Sequence, residues 1–184
     1  MDISLLRKGL IKAARGDRSQ MQVSQELGYQ FNQVYRWETG RTQISWLDFV
    51  KHCKACDVDL PAICRDLWSD QVDAEDAAQM TRVATSGLAV GQVAKTSGFS
   101  RHQLERWLLG KSIPRLTDIL TLLSVIHPQK LTELVLAIAD GQQDPASVAA
   151  EVFGDDALKP DFALAELTRQ NPIYAIVDMY LEHP

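Results

Sequence analysis

The chain lacks most of the features by which secreted and membrane proteins are recognised. Its 184 residues contain three cysteines, and this odd number does not suggest a disulfide framework. No apolar run approaches the length that crosses a bilayer. The N-terminus, charged at Asp2 and Arg7, does not have the layout of a secretory signal. We therefore expect a soluble, cytoplasmic protein that does not associate with membranes.

Catalytic motifs are also lacking. The sequence has no glycine-rich phosphate loop, no Ser-His-Asp arrangement in a recognisable context and no carboxylate pair in a recognisable setting. His52, Cys53, Cys56 and Cys64 could form a metal or redox cluster, since zinc takes four convergent ligands. Buried free cysteine is the more common alternative. We predict a protein that is not an enzyme and that binds no cofactor and no metal.

An excess of positive charge is the third feature that is missing. The net charge is −5, and residues 1–70 hold ten Lys or Arg against nine Asp or Glu. Residues 71–139 hold seven against six, whereas residues 140–184 hold two against nine. A neutral domain can still bind DNA if its cations cluster on one face. The acidic tail is expected to point away from any nucleic acid.

The chain is organised around residues 19–41. This stretch predicts two short helices, over residues 19–27 and 30–38. Gly28 separates the helices and Gly40 ends the second one, because glycine takes a left-handed backbone without steric cost. Two short helices joined by such a tight turn form a compact helical hairpin.

The second of these helices has two different faces. Val34 and Trp37 are three residues apart and share the inner face. The outward face combines aromatic, amide and guanidinium groups from Phe31, Asn32, Gln33 and Arg36. Reading base edges in a major groove requires a helix face of this kind.

This pattern resembles the helix-turn-helix of the phage-repressor/Cro type, also called the xenobiotic-response-element family. The matching residues open the first helix, form the turn and close the second helix: Ser19, Gln20, Leu27, Gly28, Val34, Trp37, Glu38, Gly40 and Arg41. The resemblance covers about residues 5–67 and implies a five-helix DNA-binding domain. Gln30 departs from the Ser or Thr that usually caps the recognition helix, so the start of this helix is expected to be loose or displaced.

The resemblance implies a set of contacts with double-stranded DNA. Arg36, Gln33 and Asn32 are expected to contact base edges. Phe31 either touches a thymine methyl group or packs inward. Three further side chains are expected to hold the phosphate backbone, which positions the protein without reading sequence: Gln20, Arg18 and Arg41.

The second part of the chain repeats the first. When residues 20–41 are shifted by seventy, seven of the twenty-two positions are identical without a gap. The identical pairs include both turn glycines and the tryptophan: Gln22/Gln92, Val23/Val93, Gly28/Gly98, Gln33/Gln103, Arg36/Arg106, Trp37/Trp107 and Gly40/Gly110. Repetition at this scale indicates a duplicated unit. Residues 1–70 are thus predicted to form the DNA-binding domain, residues 71–140 a second, degenerate copy and residues 141–184 an acidic helical region.

The second copy departs from the first at two positions. Val90 replaces Gln20, and Leu108 replaces Glu38. Because the family's glutamine usually touches phosphate, the copy is expected either to bind DNA weakly or to contact protein. Its outward face still offers possible readers of base or phosphate, which are Arg101, His102, Gln103 and Arg106.

These observations predict an all-α protein with two tandem five-helix repressor-like units and a short helical C-terminal region. The expected function is sequence-specific DNA binding in transcription regulation, with the helix over residues 30–38 in the major groove. A second reading head would come from the second copy or from a partner chain, and we favour a homodimer formed through the C-terminal helices. The alternative is a protein-binding adaptor or antitoxin-like co-regulator.

Overall fold

The computed structural model describes residues 2–69 and 71–140 of the chain. Every regular element in these residues is an α-helix, which confirms the all-helical class. Within the acidic C-terminal region the sequence predicts three helices, near residues 146–153, 162–169 and 173–181, each with a proline at its start. These helices lie outside the described residues, as does the homodimer contact expected through them. Among the described helices, none is both long and apolar enough to cross a membrane.

Ten helices follow one another along the described residues. The first half, residues 2–69, contains α1 (Ile3–Arg15), α2 (Gln20–Glu26), α3 (Gln33–Glu38), α4 (Trp46–Ala55) and α5 (Leu60–Leu67). The second half, residues 71–140, contains α6 (Ala77–Ala84), α7 (Val90–Ser97), α8 (Arg101–Leu108), α9 (Leu116–Ile126) and α10 (Pro128–Asp140).

Side-chain caps explain where several of the helices begin. The Asp2 carboxylate accepts the N–H of Ser4 at 2.8 Å and so starts α1. Ser45 accepts the N–H of Asp48 at 3.1 Å and starts α4. These bonds satisfy amides that have no partner within their helices. The sequence predicts a helix from Ile3 capped by Asp2 and another capped by Ser45, and both starts are confirmed.

The two halves pack against each other through several helices. α1 contacts α9 and α10, α4 contacts α9, and α5 contacts α10. A short antiparallel bridge joins Ser45 to Arg115. Around it, the N–H of Trp46 donates to the Pro114 carbonyl and the N–H of Leu116 donates to the Ile44 carbonyl, both at 3.0 Å. The buried side chains of the two halves belong to a single hydrophobic core.

Residues seventy positions apart lie in similar local settings. Trp37 and Trp107 are 2% and 3% exposed, which confirms that both are core residues. Each packs edge to face against an aromatic ring, Tyr29 at 5.5 Å and Phe99 at 5.0 Å between centroids. The same local packing is thus built twice.

Candidate nucleic-acid interface

Helix α3 begins later than the sequence predicts. Its observed range is Gln33–Glu38 rather than residues 30–38, so the predicted start is wrong by three residues. Asn32 is the N-cap, and its side-chain oxygen accepts the N–H of Tyr35 at 3.0 Å. Asparagine caps helices well, whereas glutamine at position 30 does not. In the second half, Ser100 caps α8 and the helix begins at Arg101.

The cap changes the role expected for Asn32. Its side chain is half-buried, and its carbonyl oxygen is committed to the backbone of α3. The same oxygen also lies 3.4 Å from the Ser24 hydroxyl, so a contact with a base edge would come from the amide nitrogen. Asn32 is the cap of this helix rather than a full member of its outward face.

Ser24 joins α2 to the start of α3. Its buried hydroxyl donates to the Gln20 carbonyl at 2.7 Å and accepts the N–H of Val34 at 3.0 Å. Val34 lies in the first turn of α3, where the backbone amide has no partner within the helix. The hydroxyl thus fixes the turn between the two helices. The equivalent residue of the second half is Ala94.

Replacing Ser24 with alanine is expected to lower the free energy of unfolding by about 1–3 kcal/mol, because the buried N–H of Val34 loses its acceptor. Urea denaturation followed by circular dichroism measures this loss. Ser124→Ala is the matched control, since that hydroxyl only donates to a helix carbonyl, that of Thr121. Equal stability of the two variants would contradict the role assigned to Ser24.

The outward face of α3 carries two exposed side chains. Phe31, just before the cap, is 74% exposed, so of its two predicted placements the inward one is excluded. Arg36 is exposed, and no hydrogen bond or ion pair holds its guanidinium within residues 2–69 and 71–140. Gln33 is half-buried, and its amide nitrogen donates to the Thr42 hydroxyl at 3.0 Å. The side-chain oxygen of Gln33 remains available as an acceptor.

Tyr35 enlarges this face and was not singled out from the sequence. Its ring is 37% exposed, and the Arg41 guanidinium carbon lies 5.1 Å from the ring centroid. At this distance a cation interacts favourably with the π face of the ring. Arg41 is therefore held beside α3. The sequence signal for Tyr35 was an aromatic residue next to an outward-facing arginine.

Gln20 belongs to a small polar network behind the interface. Its amide nitrogen donates to one oxygen of the Glu38 carboxylate. The other oxygen accepts a hydrogen bond from the Arg15 side chain at 2.6 Å. The Arg15 and Glu38 side chains are only 12% and 8% exposed. A primary amide has two N–H bonds, so Gln20 keeps one donor for the phosphate contact predicted for it.

The second half replaces this network as a whole. Residues equivalent to Arg15, Gln20 and Glu38 are Thr85, Val90 and Leu108. With Thr85 in place of the arginine, a carboxylate at position 108 would have no ion-pair partner there. With Leu108 in place of the glutamate, a glutamine at position 90 would have no carboxylate to accept its hydrogen bond. The loss of Gln20 and Glu38 from the second copy therefore has a structural explanation that the sequence alone did not offer.

Arg18, another predicted phosphate contact, is already paired. Its guanidinium donates to both oxygens of the Glu26 carboxylate at 2.6 Å. The Asp57 carboxylate lies 4.0 Å away. These two carboxylates compensate the charge of Arg18, whereas Arg36 has no such neighbour among the described contacts. A phosphate would have to displace Glu26 to reach Arg18.

The corresponding face of α8 is more polar. Arg101, His102 and Arg106 are exposed, and Gln103 is half-buried. Arg101 pairs with Glu105 at 2.8 Å. The Arg106 guanidinium donates to the Lys111 carbonyl of the following loop at 3.2 Å, and no carboxylate of residues 2–69 and 71–140 forms an ion pair with it.

The histidine and cysteines considered as a metal cluster lie in the core. Cys53, Cys56 and Cys64 are buried, and burial raises the pKa of Cys56 to about 11 and that of Cys64 to about 12. His52 donates from Nε2 to the Ile11 carbonyl at 2.9 Å. Across the described ranges, no group of three or more His, Cys, Asp or Glu side chains is arranged to hold a metal.

Comparison with known proteins identifies no relative. No protein-family model matches the chain, and neither a curated protein nor a solved structure is significantly similar to it.

Proposed function

We propose that the protein binds double-stranded DNA sequence-specifically and regulates transcription, with α3 inserted in the major groove. In this proposal Arg36 and Gln33 read base edges, and Phe31 meets a thymine methyl group. Arg41 and Gln20 contact the phosphate backbone. The phage-repressor/Cro resemblance of residues 5–67 supports the same assignment.

One observation carries the proposal. Helix α3 hides Val34 and Trp37 in the core, while it leaves Arg36 exposed and, within residues 2–69 and 71–140, without an acidic partner. Unpaired guanidinium groups on a protruding helix face are suited to the two acceptors of guanine, O6 and N7. Phe31, exposed just before α3, adds an apolar group of the kind that contacts a thymine methyl.

The first test compares the wild-type protein with Arg36→Ala on duplexes selected from a random pool. Loss of a base contact is expected to weaken binding to the preferred duplex by about 1–3 kcal/mol and to relax specificity at the contacted base pair. Fluorescence anisotropy across a salt series measures both the affinity and its salt dependence.

Arg82→Ala is the matched control for this test. Arg82 is exposed on α6, so its removal takes away the same charge from another surface. We expect Arg82→Ala to select the same duplex sequence as the wild type. Equal affinity of the wild type and Arg36→Ala for every duplex would refute the proposal.

A protein-binding function is the alternative, and the surface after α8 favours it. Leu109 is 67% exposed and Ile113 is 52% exposed, whereas the equivalent positions of the first half hold Thr39 and Gln43. Large apolar side chains exposed within five residues of each other favour a contact with protein. Absence of any DNA binding at low salt, together with isolation of a stable protein complex that Leu109→Ser disrupts, would select this alternative.

A further inference from the structure

The bridge between the two halves is reciprocal. Trp46 donates to Pro114 and Leu116 donates to Ile44, each at 3.0 Å. Residues 44–46 and 114–116 are related by the same shift of seventy that relates the repeated sequences. Across a two-fold axis every contact occurs twice: if two residues are in contact, their two equivalents are in contact as well. Such an axis passes between Ser45 and Arg115.

The helix contacts follow the same axis. α4 contacts its equivalent α9, and α5 contacts its equivalent α10. Within each half the contacts also match, because α1 touches α3 and α4 just as α6 touches α8 and α9. The symmetry is approximate, since α1 has thirteen residues and α6 has eight. The longer α1 also reaches α9 and α10.

A two-fold axis places α3 and α8 at the same height on either side of it. Each helix ends seven residues before the bridge, at Glu38 and at Leu108. Seven residues span at most about 25 Å, so the two helix ends lie within roughly 50 Å of each other. This limit accommodates the spacing of about 34 Å between successive major-groove sites on one side of a duplex.

We infer that a single chain carries both reading heads and binds a pseudo-palindromic duplex as a monomer, α3 in one half-site and α8 in the other, in place of the homodimer expected from the sequence. The inference rests on the proposed DNA binding and specifies its target. Gln33 and Arg36 correspond to Gln103 and Arg106, so the half-sites share the bases read there. The two half-sites are expected to differ at the bases near the start of each helix, because Phe31 and Asn32 are replaced by Arg101 and His102 in the second half.

The experiment selects duplexes with the full chain and measures the mass of the resulting complex by native mass spectrometry. The expected result is one chain per duplex, on a site with two related half-sites about 10 base pairs apart. Arg36→Ala is expected to relax base preference in one half-site and Arg106→Ala in the other, each weakening binding roughly 5- to 150-fold. Arg82→Ala again serves as the control and is expected to leave both half-sites unchanged.

Two results would overturn the inference while leaving the proposed function intact. One is a complex of two chains on a perfect palindrome, in which Arg36→Ala alters both half-sites. The other is a single half-site that Arg106→Ala does not affect. If the wild type shows no sequence preference at any salt concentration, the proposed function itself fails, and the inference fails with it.

Discussion

Replacing Glu38 with alanine is expected to lower the free energy of unfolding by about 3–5 kcal/mol, the cost of removing one partner from a buried ion pair. The Arg15 and Glu38 side chains are 12% and 8% exposed, so water and salt screen them little. Without the carboxylate, both the Arg15 guanidinium and the Gln20 amide lose an acceptor. Urea denaturation monitored by circular dichroism measures the loss.

The second half of the chain supplies the control for this variant. A triple replacement, Arg15→Thr, Gln20→Val and Glu38→Leu, installs the residues found at positions 85, 90 and 108. It leaves no buried charge behind, so we expect it to be clearly more stable than Glu38→Ala. Should Glu38→Ala cost less than about 1 kcal/mol, the pair would be worth no more than a surface ion pair.

Trp46→Ala is expected to cost about 3–5 kcal/mol, the range for removing a large aromatic side chain from a core. The Trp46 side chain is fully buried, and its indole N–H donates to the Ala74 carbonyl at 2.8 Å. Ala74 lies just before α6, so this side chain ties the first half to the second. Thermal and urea unfolding are therefore expected to remain a single transition at a lower midpoint.

Trp68→Ala is the matched tryptophan control. Trp68 follows α5 and is half-buried, so its removal is expected to destabilise the protein less. If unfolding showed two separate transitions and Trp46→Ala lowered the midpoint of only one of them, the two halves would be unfolding independently. That outcome would contradict the shared core.

Helices with strong local signals could be predicted from the sequence. The sequence predicts helices over residues 3–15 and 116–126, and α1 and α9 have these ranges. In α1 the apolar positions recur every three to four residues and Asp2 supplies the cap, so local and tertiary preferences agree. For α10 the sequence predicts residues 130–140, whereas the helix begins two residues earlier, with Pro128 in its first turn. Proline is favoured there.

Features that depend on distant residues could not be predicted. The start of α3 is a local exception, because the stronger cap, Asn32, lies two residues after Gln30 and inside the predicted helix. The ion pair of Arg15 with Glu38 joins residues that are 23 positions apart. No periodicity connects such residues. The reciprocal bridge at Ser45 likewise depends on how the halves dock, and the repeat alone is compatible with many arrangements.

The three buried thiols have a practical consequence. Nearly all of each thiol remains protonated at neutral pH because burial raises the pKa of Cys53, Cys56 and Cys64, and only the thiolate attacks alkylating reagents. Modification must therefore wait until the surrounding helices separate. All three lie before residue 70, so the rate of alkylation reports how often the first half opens. The second half contributes no thiol to this measurement.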